Sequence, residues 1–122
     1  MQSFTFGDNP IMADELLQLV LIGKKTATCW AATNKTGANP VGTHMIIKDS
    51  LGRERAVIET IECNKRRFNE VDESFAHDEG EGDRTLAYWR KEHQDYFTRE
   101  GLYTDTMEVF CERFKLVKII EV

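Results

Sequence analysis

Along the first part of the chain apolar residues recur at helical spacing: Ala13, Leu16, Leu17, Val20 and Leu21 fall on one stripe with polar positions between them. Asp8-Asn9-Pro10 stands just ahead, a capping side chain followed by a proline whose missing N–H costs nothing in a first turn. The pattern predicts a helix over residues 10–22, stopped by Gly23 in a left-handed turn. Residues 26–32 then read as a strand. Beyond a loop carrying Gly37, Asn39, Pro40 and Gly42, residues 43–48 and 53–63 read as a hairpin around a turn at 49–52. A short helix is predicted over 72–77. A longer one runs from Asp83, as its N-cap, to about Arg99, with Leu86, Trp89, His93, Tyr96 and Phe97 on one side. The closing strand, 107–122, loses its alternation across 113–118, which suggests a bulge. Helix, strands, helices, strand is an α+β order, and it predicts a small curved sheet or partly closed barrel in place of a doubly wound parallel sheet.

The 122 residues fit one domain, residues 1–122, with enough apolar side chains for a core that needs no staple. The longest apolar run, Leu16 to Ile22, is interrupted by Gln18 and falls far short of the roughly 20 residues that span a bilayer, so no membrane partner is expected. The N-terminus lacks the build of a signal peptide, and the cytosol is the expected compartment. Cys29, Cys63 and Cys111 are odd in number and widely spaced, which reads as reduced thiols and gives neither a disulfide framework nor a zinc motif. A net charge of −5 argues against tight, sequence-independent binding to long nucleic acid. Lys65, Arg66 and Arg67 form one local basic run, of the kind usual at a solvated loop or strand end.

Two segments concentrate groups capable of chemistry. Gly23-Lys24-Lys25-Thr26-Ala27-Thr28 puts two amines and two hydroxyls where a helix gives way to a strand. It is not a phosphate loop, because there the glycines precede the helix. Lys25 and Thr28 would face opposite ways in an ideal strand and converge only across a turn; by spacing alone they read as a surface lysine and a strand threonine. Phe75-Ala76-His77-Asp78-Glu79-Gly80-Glu81-Gly82-Asp83 is an acidic bend between two helices. Its spacing does not match a calcium loop, helix capping accounts for Asp83 and for Glu81, and neither His77 nor His93 has partners at a metal-ligand offset. No metal and no cofactor is expected.

The glycine, lysine and threonine of Gly23-Lys24-Lys25-Thr26-Ala27-Thr28 match the Gly-x-Lys-x-x-Thr-x-Arg signature of the ASCH family, with Trp30 in place of the arginine, and Ala76-His77-Asp78-Glu79-Gly80 resembles its Ala-x-x-Glu-Gly element. Glu79 through Leu86, with Trp89, Arg90, His93, Tyr96 and Phe97, and Ala13-Asp14-Glu15-Leu16 near the start, are similar to one bacterial branch of that family. Members of the branch often carry a further helix ahead of the position where this sequence begins, so the resemblance implies a cleft with one wall altered. It implies a PUA-like fold, a small β-barrel flanked by helices, whose partner is a nucleoside or RNA, and it leaves the number of subunits open. In members that hydrolyse N4-acetylcytidine the signature lysine and threonine and the later glutamate are catalytic, which carries over to Lys25, Thr28 and Glu79. Around them Trp30, Lys24, Thr26 and Glu81 are the substrate-binding candidates, Trp30 as a stacking platform on the strand face of Thr28. Ribonuclease activity and noncatalytic RNA or nucleoside binding are the alternatives. For Lys25 to act as base near neutrality its pKa must fall by roughly 3 units, or about 4 kcal/mol. An ionised Glu79 opposes that fall and a close Lys24 assists it. Either Lys25 is the base, the role the resemblance favours, or Glu79 is the base and Lys25 stays charged to steady the oxyanion.

Overall fold

A computed structural model describes residues 1–122. The elements in order are β1 (Gln2–Phe4), α1 (Pro10–Leu21), β2 (Ala27–Ala31), β3 (His44–Lys48), β4 (Glu54–Arg67), α2 (Glu73–Glu79), α3 (Leu86–Arg99) and β5 (Glu108–Ile119), with one 3-10 turn at Phe68–Glu70. The five strands make one curled half-barrel sheet in the order β1-β3-β4-β5-β2. β1 runs parallel to β3 and every other pairing is antiparallel. The expected α+β class holds, with β1 and β2 as the two unpaired edges of the curl.

Local chemistry explains most boundaries. Asn9 caps α1 by accepting the Met12 N–H at 2.8 Å, and Pro10 fills the first turn. Ala13, Leu17 and Val20 are buried along the predicted stripe and Leu16 and Leu21 pack at its edge. The hairpin of β3 and β4 is present, but β4 continues past Cys63 to Arg67, so Lys65, Arg66 and Arg67 are its end. The faltering alternation in the last strand is a bulge: Val57 pairs with Lys118 and Ile58 with Leu116, which skips Val117. β1 was not anticipated; three residues are too few to show a period. The start of α3 differs from expectation as well. Thr85, not Asp83, is the N-cap and accepts the Tyr88 N–H at 3.1 Å, while Asp83 accepts from the Thr85 N–H at 3.0 Å. The helix begins late because Gly82 and Arg84, with φ of 58° and 65°, both turn left-handed and lengthen the bend.

Two apolar clusters lie on opposite faces of the sheet. One joins α1 to the inside of the curl through Leu17, Val20, Ile47, Ala56, Ile58 and Phe114. The other packs α2 and α3 against β2 and β5 through Phe75, Trp89, Phe97, Ala27, Val109 and Cys111. The acidic bend after α2 is drawn onto the chain entering β2. The Thr26 N–H donates to the Asp78 carbonyl at 2.7 Å, and Arg84 donates to the carbonyls of His77 at 3.0 Å and Lys24 at 3.4 Å. Gly80 permits this approach, since a Cβ there would lie 2.3 Å from the Lys24 carbonyl oxygen, and its φ is 72°. Gly80→Ala is therefore expected to cost about 2–4 kcal/mol, backbone strain plus a clash that nothing flexible can relieve. Gly101→Ala, at φ 74° in open space, carries only the left-handed penalty of about 1–2 kcal/mol. Chemical denaturation of both variants checks the ordering.

Candidate active site

The bend delivers Glu79 to Lys25, 54 positions away in sequence, and both residues are only 2% exposed. Lys25 Nζ donates to Glu79 Oε1 at 3.1 Å, to the Glu79 carbonyl at 3.2 Å and to Glu81 Oε2 at 2.7 Å, which uses all three ammonium protons. The same ammonium lies 5.4 Å from the centre of the Phe6 ring. Glu79 Oε2 accepts from Trp89 Nε1 at 2.5 Å. His93 stacks on that indole at 4.3 Å, bonds the Trp89 carbonyl through Nδ1 at 2.8 Å and brings Nε2 to 3.6 Å from Glu79 Oε2. Both oxygens of the buried carboxyl are thus held.

These contacts fix the resting charges. Burial disfavours the Lys25 ammonium, yet the charges and hydrogen bonds of Glu79 and Glu81 outweigh it and hold the amine above its ordinary value of 10.5. Burial likewise pushes the Glu79 carboxyl up, but the Lys25 and His93 charges and the Trp89 and Lys25 hydrogen bonds pull it below its ordinary 4.5. The resting site is an ion pair, so Lys25 carries no free lone pair and the reading of it as an unaided base does not describe this state. Lys24 does not line the cavity; its carbonyl is engaged by Arg84.

A cavity of about 640 Å³ opens beside the pair, lined by residues of both edge strands and of α1 and α3. Phe4 and Phe6 line it from the β1 side, Thr28 and Trp30 from β2, Lys25 from the connection between α1 and β2, and Glu79 and Glu81 from the bend. Its volume lies in the range usual for small-molecule sites. Trp30 donates from Nε1 to the Gly37 carbonyl at 3.3 Å and lies against Phe110 at 5.8 Å between centroids. Of the seven residues singled out from the sequence, five line this cavity: Lys25, Thr28, Trp30, Glu79 and Glu81. Lys24 and Thr26 stand behind it, and Thr26 serves as a joint, bonded to the Asp78 carbonyl through both its N–H and its hydroxyl. Lys65, Arg66 and Arg67 lie outside the lining.

Sequence reasoning passed over Cys29, His93, Asn39 and Glu112 as site residues, and all four line the cavity. Cys29, Glu79 and His93 bring a thiol, a carboxylate and an imidazole within 4.8 Å of one another, a donor set of the type that holds zinc. The Lys25 ammonium on the other carboxylate oxygen opposes a second positive charge there. The thiols are not activated: burial first, and the Glu79 charge second, drive Cys29 well above its ordinary value and Cys111 up to about 12. His93 carried a signal in its place on the buried side of α3. The others sit on different elements far apart in sequence, where no spacing rule connects them.

Removing one member of a buried pair strands the other. Glu79→Gln is expected to destabilise the fold by about 3–5 kcal/mol in urea titrations at neutral pH. Because the Glu79 carboxyl is lowered, its contribution is complete above 4.5 and fades as pH falls through its folded value. Because the Lys25 amine is raised, its contribution is complete below 10.5 and fades as pH rises through its folded value. The difference between wild type and Glu79→Gln should stay flat across neutral pH and narrow at both extremes.

Comparison with known proteins agrees with the fold. The model of the ASCH domain family matches residues 2–118. The structure is similar to the crystal structure of an ASCH domain from Lactobacillus crispatus, with a TM-score of 0.87 and 31% identity over 94% of this chain and 78% of that one. A protein from Enterococcus faecalis is similar at a TM-score of 0.85 and 31% identity, covering 98% of this chain and 77% of that one. A variant of the Zymomonas mobilis ASCH protein, at 12% identity and a TM-score of 0.61 over 99% of this chain and 73% of its own, shares the fold alone. No curated protein matches the chain.

Proposed function

The chain belongs to the ASCH domain family, and from that premise we propose that it hydrolyses the amide of a nucleoside like N4-acetylcytidine, with Lys25, Thr28 and Glu79 as the reacting group. The observation that carries this reading is a buried ammonium–carboxylate pair in the wall of a cavity of about 640 Å³ that also presents a threonine hydroxyl and an indole. The pair works as one unit. When substrate excludes water, a proton moves from Lys25 Nζ to Glu79 Oε1 along their 3.1 Å hydrogen bond, freeing a lone pair on nitrogen. That lone pair takes the Thr28 proton as Oγ bonds to the acetyl carbon. Lys25, an ammonium again, steadies the tetrahedral oxygen. The carbon–nitrogen bond then breaks, and the proton stored on Glu79 returns through Lys25 to the departing N4. Water cleaves the acetyl-threonine ester through the same relay, releasing acetate and restoring Thr28. Trp89 and His93 hold the Glu79 carboxyl throughout, and Glu81 anchors the ammonium from the solvent side.

The charge of the lining favours a free nucleoside over a polymer. Asp8, Glu79, Glu81, Glu92, Glu100 and Glu112 face the cavity against Lys25 and Arg99, so a phosphate backbone meets a negative field. A neutral amide does not.

Acetate release from N4-acetylcytidine by the purified protein tests the reading, beside strand scission of unmodified RNA. Lys25→Ala, Thr28→Ala and Glu79→Gln are each expected to lower turnover by about 100-fold or more, with nucleoside binding retained in Thr28→Ala. Absence of acetate release, or variants that match wild type, would defeat it; RNA cleavage without acetate release would point to the ribonuclease alternative.

A further inference from the structure

The relay leaves one buried acid of the cavity unused. Glu112, in the middle of β5, is 2% exposed and lines the cavity, and its partners are neutral: the Thr60 hydroxyl at 2.5 Å and the Asn39 side-chain amide at 3.3 Å. A buried carboxyl without a cation is costly, and here burial lifts it above its ordinary 4.5 against the pull of those two hydrogen bonds. Strand register says what it faces. Glu112 lies directly opposite Thr28, and the next pair on the same face is Trp30 opposite Phe110. Opposed residues on one face have Cβ atoms about 4.5–5.5 Å apart. A planar ring lying on Trp30 beside the Thr28 hydroxyl therefore turns an edge toward Glu112. A carboxyl offers about four acceptor positions, and Thr60 and Asn39 occupy two.

We propose that Glu112, held by Asn39 and Thr60, is the specificity residue of the cavity, accepting a hydrogen bond from the amino or acylamino N–H of a base stacked on Trp30. A base that shows a carbonyl at that place sets acceptor against acceptor in a buried site and is rejected. The inference rests on the nucleoside reading of the cavity, though not on the hydrolytic chemistry. The Glu112→Gln side chain keeps the shape of the original, turns its carbonyl to Asn39 and puts an amide in place of the second oxygen, with one N–H for Thr60 and one toward the ligand, so a base carbonyl there is no longer opposed.

Calorimetric binding of cytidine and uridine to the full chain tests this, with circular dichroism confirming that each variant is folded. Wild type should prefer cytidine by roughly 10- to 100-fold, the worth of a hydrogen bond to a charged or strongly polar group. Glu112→Gln should bring the two affinities to within about 3-fold, and Asn39→Ala should narrow the preference partway. Equal binding of the two nucleosides by wild type overturns the proposal, as does a folded Glu112→Gln that keeps the wild-type preference. Should Glu112→Gln fail to fold, an Asn39→Ala protein with an unchanged preference overturns it instead. Collapse of the preference in a protein that releases no acetate supports Glu112 and rejects the hydrolase; acetate release with a preference that ignores Glu112 does the reverse.

Discussion

Everything at this site depends on one close approach, that of the bend after α2 to the backbone between α1 and β2. Lys25 is buried only because Glu79 meets it, and Glu79 meets it only because Gly80 lets two backbones come closer than a Cβ allows. The joint is made by main-chain and side-chain bonds together. Thr26 ties to the Asp78 carbonyl, Arg84 reaches back to Lys24, and Arg113 holds Asp78 at 2.9 Å from the sheet side. These groups come from separate parts of the chain, so any slip of α2 against β5 would part the charges.

The curl of the sheet supplies the second condition. A closed barrel would pair β1 with β2 and fill its interior with side chains. Here the two edges are unpaired, and residues of both line the cavity together with α1 and α3. Its two ends differ in kind. At one, the Lys25–Glu79 pair faces Phe6 and the α3 residues Trp89 and His93; at the other, Glu112 and Asn39 face inward beside the Trp30 and Phe110 rings. The first group is an ion pair, and the second is a carboxyl held by the neutral partners Thr60 and Asn39.

The elements that could be read from the sequence are those whose physics is local. The stripe of α1, the Asn9-Pro10 start and the Gly23 stop each act within a few residues, and the faltering alternation of β5 is a bulge seen from one strand. Where non-local contacts decide, local rules failed: β1 exists because β3 offers it an edge, and α3 starts at Thr85 because Arg84 is held left-handed by carbonyls from two other segments. The site followed the same division. Lys25 and Thr28 by themselves read as ordinary, and Glu79 joined them only through family resemblance. Glu112 looks like any alternating strand position until the register places it against Thr28.

The pair itself is a poor choice if stability were its purpose. Taking an ammonium and a carboxylate out of water costs several kcal/mol per ion, and a well-packed apolar pair of similar volume commonly does as well or better. What an apolar pair cannot do is hold a proton between two atoms 3.1 Å apart with both charges balanced at rest. The additional bonds from Trp89 and Glu81 make sense in that light, since they keep the donor and acceptor in register at a distance a proton can cross. In the proposed relay the ion pair is the stable resting form, held by those bonds, and a ligand that fills the cavity and excludes water is what brings the neutral amine–acid arrangement within reach.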